Sequence, residues 1–326
     1  MSFNIYCKKE LANQKYENTC CEIAFLSAVI KSSAEIKRIN NGFEVFIKTG
    51  IYDVYKTVQE ILKTIYPFIQ KIKVREINKN FSEKQYEIII RKKEAKQILL
   101  DCKIIENDDK GQLIEKESFD KYLVSEKCCQ KSYIKGVFIG CSTNNILITH
   151  NIYNKNNIKL SSGYKLQFRF NNERMANDFK DLLSKNEIYS KLSLSKKGYI
   201  VYMKNSESIL DFLAYIDLKK CYMSLQNEII FRQIRSNANR QSNCTAGNVS
   251  KTIKASFKQI EDIETIDRAI GIDSLDERLQ DVALLRLANP EESLDDLVSL
   301  SSEGISKSGL NHRFRKIANI ASKLGG

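Results

Sequence analysis

Four cations, a histidine, an asparagine and a serine fall within ten residues near the end of the chain: Lys307, Ser308, Asn311, His312, Arg313, Arg315 and Lys316. Guanidinium and ammonium groups donate charge-assisted hydrogen bonds to phosphate oxygens. An asparagine amide pairs bidentately with adenine, and a lysine reaches guanine O6 or N7. From Ile305 to Gly326 there is no acid to neutralise them. A second basic run, Ile229 to Ile260, carries Arg232, Arg235, Arg240, Lys251, Lys254 and Lys258. Asn237, Asn239, Asn243 and Asn248 interleave with those bases, and the run contains no acid. Between the two runs, Glu261 to Glu303 holds thirteen acids against three arginines, so charge is segregated along the chain rather than averaged. Segregation of this kind suits a surface that faces phosphates. The net charge of +12 and pI of about 9.1 point to a polyanionic partner. A ribosomal or membrane-surface partner would suit the same total.

Other chemistries find less support. The paired cysteines Cys20-Cys21 and Cys128-Cys129 invite a metal reading. Structural zinc favours Cys-x2-Cys spacing with a second ligand pair, and adjacent helical residues point about 100° apart. Buried small residues are therefore expected there, with no metal and no other cofactor. Only His150 and His312 are available as histidines, too few for a Ser/His/Asp set. No glycine-rich phosphate loop is present, and Gly136-x-x-x-Gly140 reads as close helix packing.

The elements that must position the cations are helices. Leu310, Phe314, Ile317, Ala321 and Leu324 recur at helical spacing and form one apolar stripe from Ile305 onward. His312, Arg315, Lys316, Asn319 and Lys323 then fall on the opposite face, with Arg313 at its edge. Ser306 or Ser308 can cap the start. Upstream, Ser293 to Ser302 reads as a short helix opened by a Ser293–Asp296 capping box. Glu303-Gly304-Ile305 would turn the corner between the two. Two short helices, a glycine turn and a basic second helix describe a helix-turn-helix, or else an ordinary helical corner with a solvated face. The basic run before it reads as a linker helix lying along phosphates, or as one solvated between domains, with Asn243 and Asn248 as alternative caps.

The front of the chain repeats itself. TCCEIAFLSAVI from Thr19 and KCCQKSYIKGVF from Lys127 align at their cysteine pairs, with Ala28 on Gly136. Each is followed by strand and helix patterns that add up to α-β-β-α-β-β-α. In the second copy Ser206 is read as the cap of the last helix, and Asn144 to Ser162 as an exposed loop. This plan resembles the LAGLIDADG homing endonucleases, whose two leading helices each end in a metal-binding acid. The aligned positions here are Ser33 and Cys141, neither a carboxylate, and magnesium needs hard oxygen ligands. Glu35 lies near Ser33, but the second copy offers no counterpart.

Over its whole length the chain resembles the bacterial WhiA family of sporulation and cell-division regulators. The resemblance rests on MSF…KKELAN, the two cysteine-led helices, KGYIVYMK, the stretch from Asn243 to Ile263, and ISKSGLNHRFRKI from Ile305 to Ile317. Cys141 stands where the family usually has glycine, and Thr245 where it has glutamate. The resemblance implies an α+β protein in three parts. A degenerate two-repeat domain would span residues 1–217, with copies at about 19–105 and 127–217. A basic linker helix would follow over 218–270, and an all-α helix-turn-helix domain over 271–326. It further implies a sequence-specific DNA-binding transcriptional regulator acting in cell division and, where it occurs, sporulation, with no catalytic residues. An active homing-type endonuclease, and a chromosome-organising protein that uses DNA binding for localisation, are the alternatives. Double-stranded DNA is the expected partner, with another regulator or the transcription machinery beside it. With no apolar leader segment and no run of eighteen apolar residues, a cytoplasmic, nucleoid-associated monomer with free thiols is expected.

Overall fold

The computed structural model describes residues 2–40, 42–67, 73–78 (backbone only), 84–148, 163–301 and 304–324. His150 and most of the Asn144–Ser162 insert lie outside them, as does Glu303. The chain divides into two compact units, Met1–Phe231 and Arg232–Gly326.

The first unit opens with α1 (Phe3–Ala12) and then runs through the repeat twice. Copy one is α2 (Thr19–Ser33), β1 (Glu35–Ile39), β2 (Gly42–Thr49), α3 (Tyr52–Ile65), β3 (Lys73–Asn78), β4 (Lys84–Arg91) and α4 (Lys92–Asp101). A small hairpin, β5 (Ile105–Asn107) and β6 (Leu113–Glu115), links it to copy two. Copy two is α5 (Lys127–Cys141), β7 (Ser142–Asn144), β8 (Leu166–Phe170), α6 (Glu173–Lys185), β9 (Lys191–Ser195), β10 (Gly198–Met203) and α7 (Ser206–Tyr215). The sheets are antiparallel with orders β1-β2-β4-β3 and β7-β8-β10-β9, so the repeat holds strand for strand. Alternation sets the register. Val45 lies opposite Ile90 and Ile47 opposite Ile88; in copy two Phe168 lies opposite Val201. All six are buried, which pins the inward face against a one-residue slip. Asn205, not Ser206, caps α7, accepting from the Glu207 N–H.

The two leading helices, α2 and α5, pack against each other along most of their length. Small residues make this possible. A Cβ added at Gly136 would lie 2.4 Å from the Phe25 carbonyl oxygen, and one at Gly140 would collide with the Ser32 hydroxyl. Both copies contribute to one continuous core. That core extends past residue 217, because Leu218, Cys221 and Leu225 are fully buried in it. The last two belong to α8 (Lys219–Ile270), a single helix of 52 residues. Asn243 and Asn248 lie in its interior and cap nothing there. The division between units falls inside this helix.

The second unit has its own core. Ile263 and Ile266 of α8 pack with Leu279, Val282 and Ala283 of α9 (Glu277–Ala288), Leu297 of α10 (Leu294–Leu300), and Leu310, Phe314, Ile317 and Ala321 of α11 (Lys307–Leu324). These α11 residues are the stripe read from the sequence, except that Leu324 is 38% exposed.

Candidate nucleic-acid interface

Helix α10 begins with the expected capping box. The Ser293 hydroxyl accepts from the Asp296 N–H, and the Asp296 carboxylate accepts from the Ser293 N–H. The Ser293 hydroxyl also donates to that carboxylate at 2.5 Å, and this bond, with the one from the Ser293 N–H, holds the Asp296 carboxyl below the usual carboxylate range. Gly304 takes φ +62°, the left-handed region that a glycine enters without strain, and it brings the chain round to α11. Ser306 accepts from the Gly309 N–H at 3.2 Å and so caps α11. Its hydroxyl also lies 3.2 Å from that of Ser308.

With Leu310, Phe314 and Ile317 turned inward, Lys307, Ser308, His312, Arg315, Lys316, Asn319 and Lys323 are exposed. Asn311 is half-buried on the edge of this face. Lys307 and Arg313 bond neighbouring helices. Lys307 pairs with Asp295 of α10. Arg313 donates to the Arg278 carbonyl of α9 at 3.2 Å, so it fastens α11 to α9 as well as edging the cationic face. The exposed face therefore places Ser308, Asn311 and His312 in the first turns and Arg315 and Lys316 further along.

One residue that sequence reading passed over holds this arrangement in place. Arg286 of α9 is 1% exposed. Its guanidinium donates to Gln259 Oε1 at 3.0 Å and to the carbonyls of Asn289 and Glu292 at 3.1 and 2.7 Å. It lies 5.5 Å from the Phe314 ring centroid. Burial lowers its pKa, and the neutral acceptors with the ring face replace its hydration. Arg286 thus ties α8, the α9–α10 turn and α11 together. The available signal was an arginine at i+7 from Leu279, on the face that Leu279, Val282 and Ala283 make apolar.

Along α8, side chains from Gln233 to Lys251 are exposed, including Arg235, Arg240 and Lys251, and Arg232 is half-buried. At about 100° per residue, Arg232, Arg235, Arg240, Lys251 and Lys254 fall within an arc of about 160°, and Asn239 and Asn243 share it. Lys258 differs: it pairs with Asp262 at 3.1 Å and Glu261 at 3.3 Å, and those bonds raise its pKa.

In the first unit, Ser33 and Cys141 end α2 and α5 as the repeat requires. Both side chains bond back to their own helices: Ser33 Oγ donates to the Val29 carbonyl at 2.7 Å and Cys141 Sγ to the Val137 carbonyl at 3.5 Å. The adjoining cavity of about 900 Å³ is lined by Lys8, Lys31, Lys116 and Arg169 as well as Glu115 and Glu117. Lys31 pairs with Glu115 at 3.0 Å, and Lys8 donates to the Ile139 carbonyl at 2.7 Å. Burial holds the Lys8 pKa down to about 8. Glu35 is exposed and bonded to Lys37 and Lys48, which lower its pKa.

Comparison with known proteins agrees with this architecture. Residues 19–105 match the WhiA N-terminal LAGLIDADG-like domain, 157–235 the WhiA LAGLIDADG-like domain, and 238–321 the WhiA C-terminal HTH domain. The probable cell division protein WhiA of Oceanobacillus iheyensis is 34% identical over 327 residues, covering 99% of this chain and 98% of the relative. That of Bacillus subtilis is 35% identical over 328 residues, covering 99% and 97%. The crystal structure of full-length DUF199/WhiA from Thermotoga maritima superposes over 100% of both chains with TM-score 0.55 at 20% identity, and so shares the fold. A two-copy LAGLIDADG-like unit joined to a helix-turn-helix unit over the full length places this chain in the WhiA family.

Proposed function

We propose that this protein is a sequence-specific DNA-binding transcriptional regulator acting in cell division and, where it occurs, sporulation, and that it does not cleave DNA. The observation that carries the reading is α11: its apolar stripe is buried, while its first turns expose Ser308, His312 and the edge residue Asn311, with Arg315 and Lys316 following. The early residues would read base edges and the later ones phosphates. The cationic arc of α8, with Arg232, Arg235, Arg240 and Lys251, would add phosphate contacts. The absence of nuclease chemistry is supported by Ser33 and Cys141, whose side chains bond their own helices where metal-ligating carboxylates would be needed. A place in the cytoplasm with the nucleoid, double-stranded DNA as main partner, and the transcription machinery or another regulator as a second follow from this reading. So does monomeric behaviour in the absence of DNA.

Mapping bound sites across the genome and measuring transcripts after deletion tests it. The expected result is a shared sequence motif upstream of genes whose transcripts change. Broad binding without a motif, or motif binding with no transcript change, would replace regulation with a chromosome-organising role.

A further inference from the structure

The two cysteine pairs converge at the N-terminal end of the α2–α5 pair. Cys20 and Cys21 occupy the first turn of α2, and Cys128 and Cys129 the first turn of α5. All four sulfurs lie within 4.8 Å of one another, and Cys128 Sγ is 4.0 Å from Cys129 Sγ. The expectation that neighbouring cysteines diverge weighed each pair alone. The repeat sets the two pairs face to face, so each helix supplies two thiols from its own side. Core packing accounts for Cys21 and Cys129, which are 4% and 5% exposed. It does not account for Cys20 and Cys128, which are exposed and lie against the buried pair.

We propose that these four residues form a tetrathiolate site for one thiophilic d10 metal ion, with Zn2+ as the reference ion. Tetrahedral zinc bonds thiolate at about 2.3 Å, which sets sulfurs about 3.8 Å apart. A regular tetrahedron with the observed upper spacing of 4.8 Å has its corners about 2.9 Å from its centre, so each sulfur moves in by about 0.6 Å at most. Small χ1 rotations supply that. The space suits a single ion. Four soft sulfur donors with no carboxylate among them disfavour Mg2+ and Ca2+.

The surroundings suit the charge. Four thiolates around a divalent ion carry a net charge of −2. The N-terminal ends of α2 and α5 both point at the site, and neither helix has a side-chain cap bond. Their positive dipole ends therefore favour thiolate at the site. The cavity of about 650 Å³ onto which Cys21 and Cys128 open gives the ion a path in; its lining carries five lysines against three carboxylates, Lys131 pairing with Asp217 at 3.0 Å. Loading replaces the thiol protons with the ion and joins the two copies at the end of their seam.

The test uses the full chain, purified anaerobically with reductant and then loaded with Zn2+ or Co2+. The expected stoichiometry is one ion per chain. Co2+ should give sulfur-to-metal charge-transfer absorption in the near ultraviolet and the intense visible bands of a tetrahedral site. The double variant Cys20→Ser, Cys128→Ser removes exposed side chains only, so it should fold. It should bind Zn2+ at least about a hundredfold more weakly, while Cys244→Ser, an exposed thiol on α8, should bind as before. Chelation should lower the Tm of the wild type and leave that of the double variant unchanged. Three results would overturn the proposal: no stoichiometric ion after reconstitution, unchanged binding in the double variant, or an α2–α5 disulfide found by mass spectrometry of the reductant-treated chain.

Discussion

The far end of the α2–α5 pair and the outer face of α11 are both places where a polyanion could meet this protein, and they are built in opposite ways. At the helix-pair end, the polar groups bond other parts of the protein. Ser33 and Cys141 bond their own helices, Lys31 pairs with Glu115, and Lys8 binds the Ile139 carbonyl. On α11, Arg315, Lys316 and His312 project into solvent from a helix fixed by four buried apolar residues. The first region spends its polar groups on holding the fold, and the second presents them outward. A nuclease-like plan therefore does not by itself place carboxylates at the ends of the leading helices, where Ser33 and Cys141 stand instead.

The largest expected effect concerns what fixes α11. Arg286→Ala strands Gln259 Oε1 and two backbone carbonyls in the second core, and should destabilise that unit by about 3 kcal/mol. Hydrogen exchange should show protection lost in α9 to α11 and retained in the first unit. Equal loss in both units would mean that the two cores do not unfold separately.

Next comes the seam of the first unit. Gly136→Ala forces a methyl to 2.4 Å from the Phe25 carbonyl oxygen and should cost about 1–3 kcal/mol. Gly247→Ala, on exposed α8 with nothing within 4 Å of the added carbon, should instead stabilise by about 0.5–1 kcal/mol. Urea midpoints for the two variants compare a packed helix with a solvated one. Matching signs would remove the close-packing account of the repeat.

A third prediction sharpens the contrast on α11 itself. Arg313 spends a bond on the Arg278 carbonyl, whereas Arg315 is exposed. Arg313→Ala should therefore lower the Tm more than Arg315→Ala does, while Arg315→Ala should change the salt dependence of DNA binding more. Reversal of that order would exchange their roles.

The smallest effect is a pH dependence at the scaffold end. Lys8 has its pKa held at about 8 against an ordinary 10.5. Between those values the unfolded chain binds more protons, so this residue makes stability rise with pH across that window. The difference in urea midpoint between Lys8→Met and wild type, compared at about pH 7.5 and about pH 9.5, reads the effect. An unchanged difference would mean that Lys8 is not held in this way.

Much of this contrast was legible in the sequence. The apolar stripe of α11, the capping box of α10, and the alternating β2 and β8 all follow from local spacing, and the structure keeps them. The short strands β1 and β7 are required by the α-β-β-α-β-β-α plan but carry no spacing signal of their own. Glu35–Ile39 buries no residue fully and lies at a sheet edge, and Ser142–Asn144 is three residues long. Arg286 and the cysteine tetrad escaped for a different reason. Each depends on contacts between elements distant in sequence: Gln259 with Arg286 in one case, and Cys20 with Cys129 in the other. Spacing within one helix carries no information about what the next copy places opposite it. Nor did spacing reveal that Lys307 pairs with Asp295, since the turn of Gly304 brings α10 and α11 together.

The central claim is that α11 reads DNA sequence as well as charge. Binding isotherms for wild type, Asn311→Ala and Arg315→Ala, on a mapped site and a scrambled one at two salt concentrations, test it most directly. Asn311→Ala should cost about 1–3 kcal/mol on the mapped site and little on the scrambled one. Arg315→Ala should weaken both DNAs similarly and reduce the salt slope by about one unit. Equal loss on both DNAs for Asn311→Ala would leave only a phosphate contact, and no change for either variant in a folded protein would contradict the account of α11.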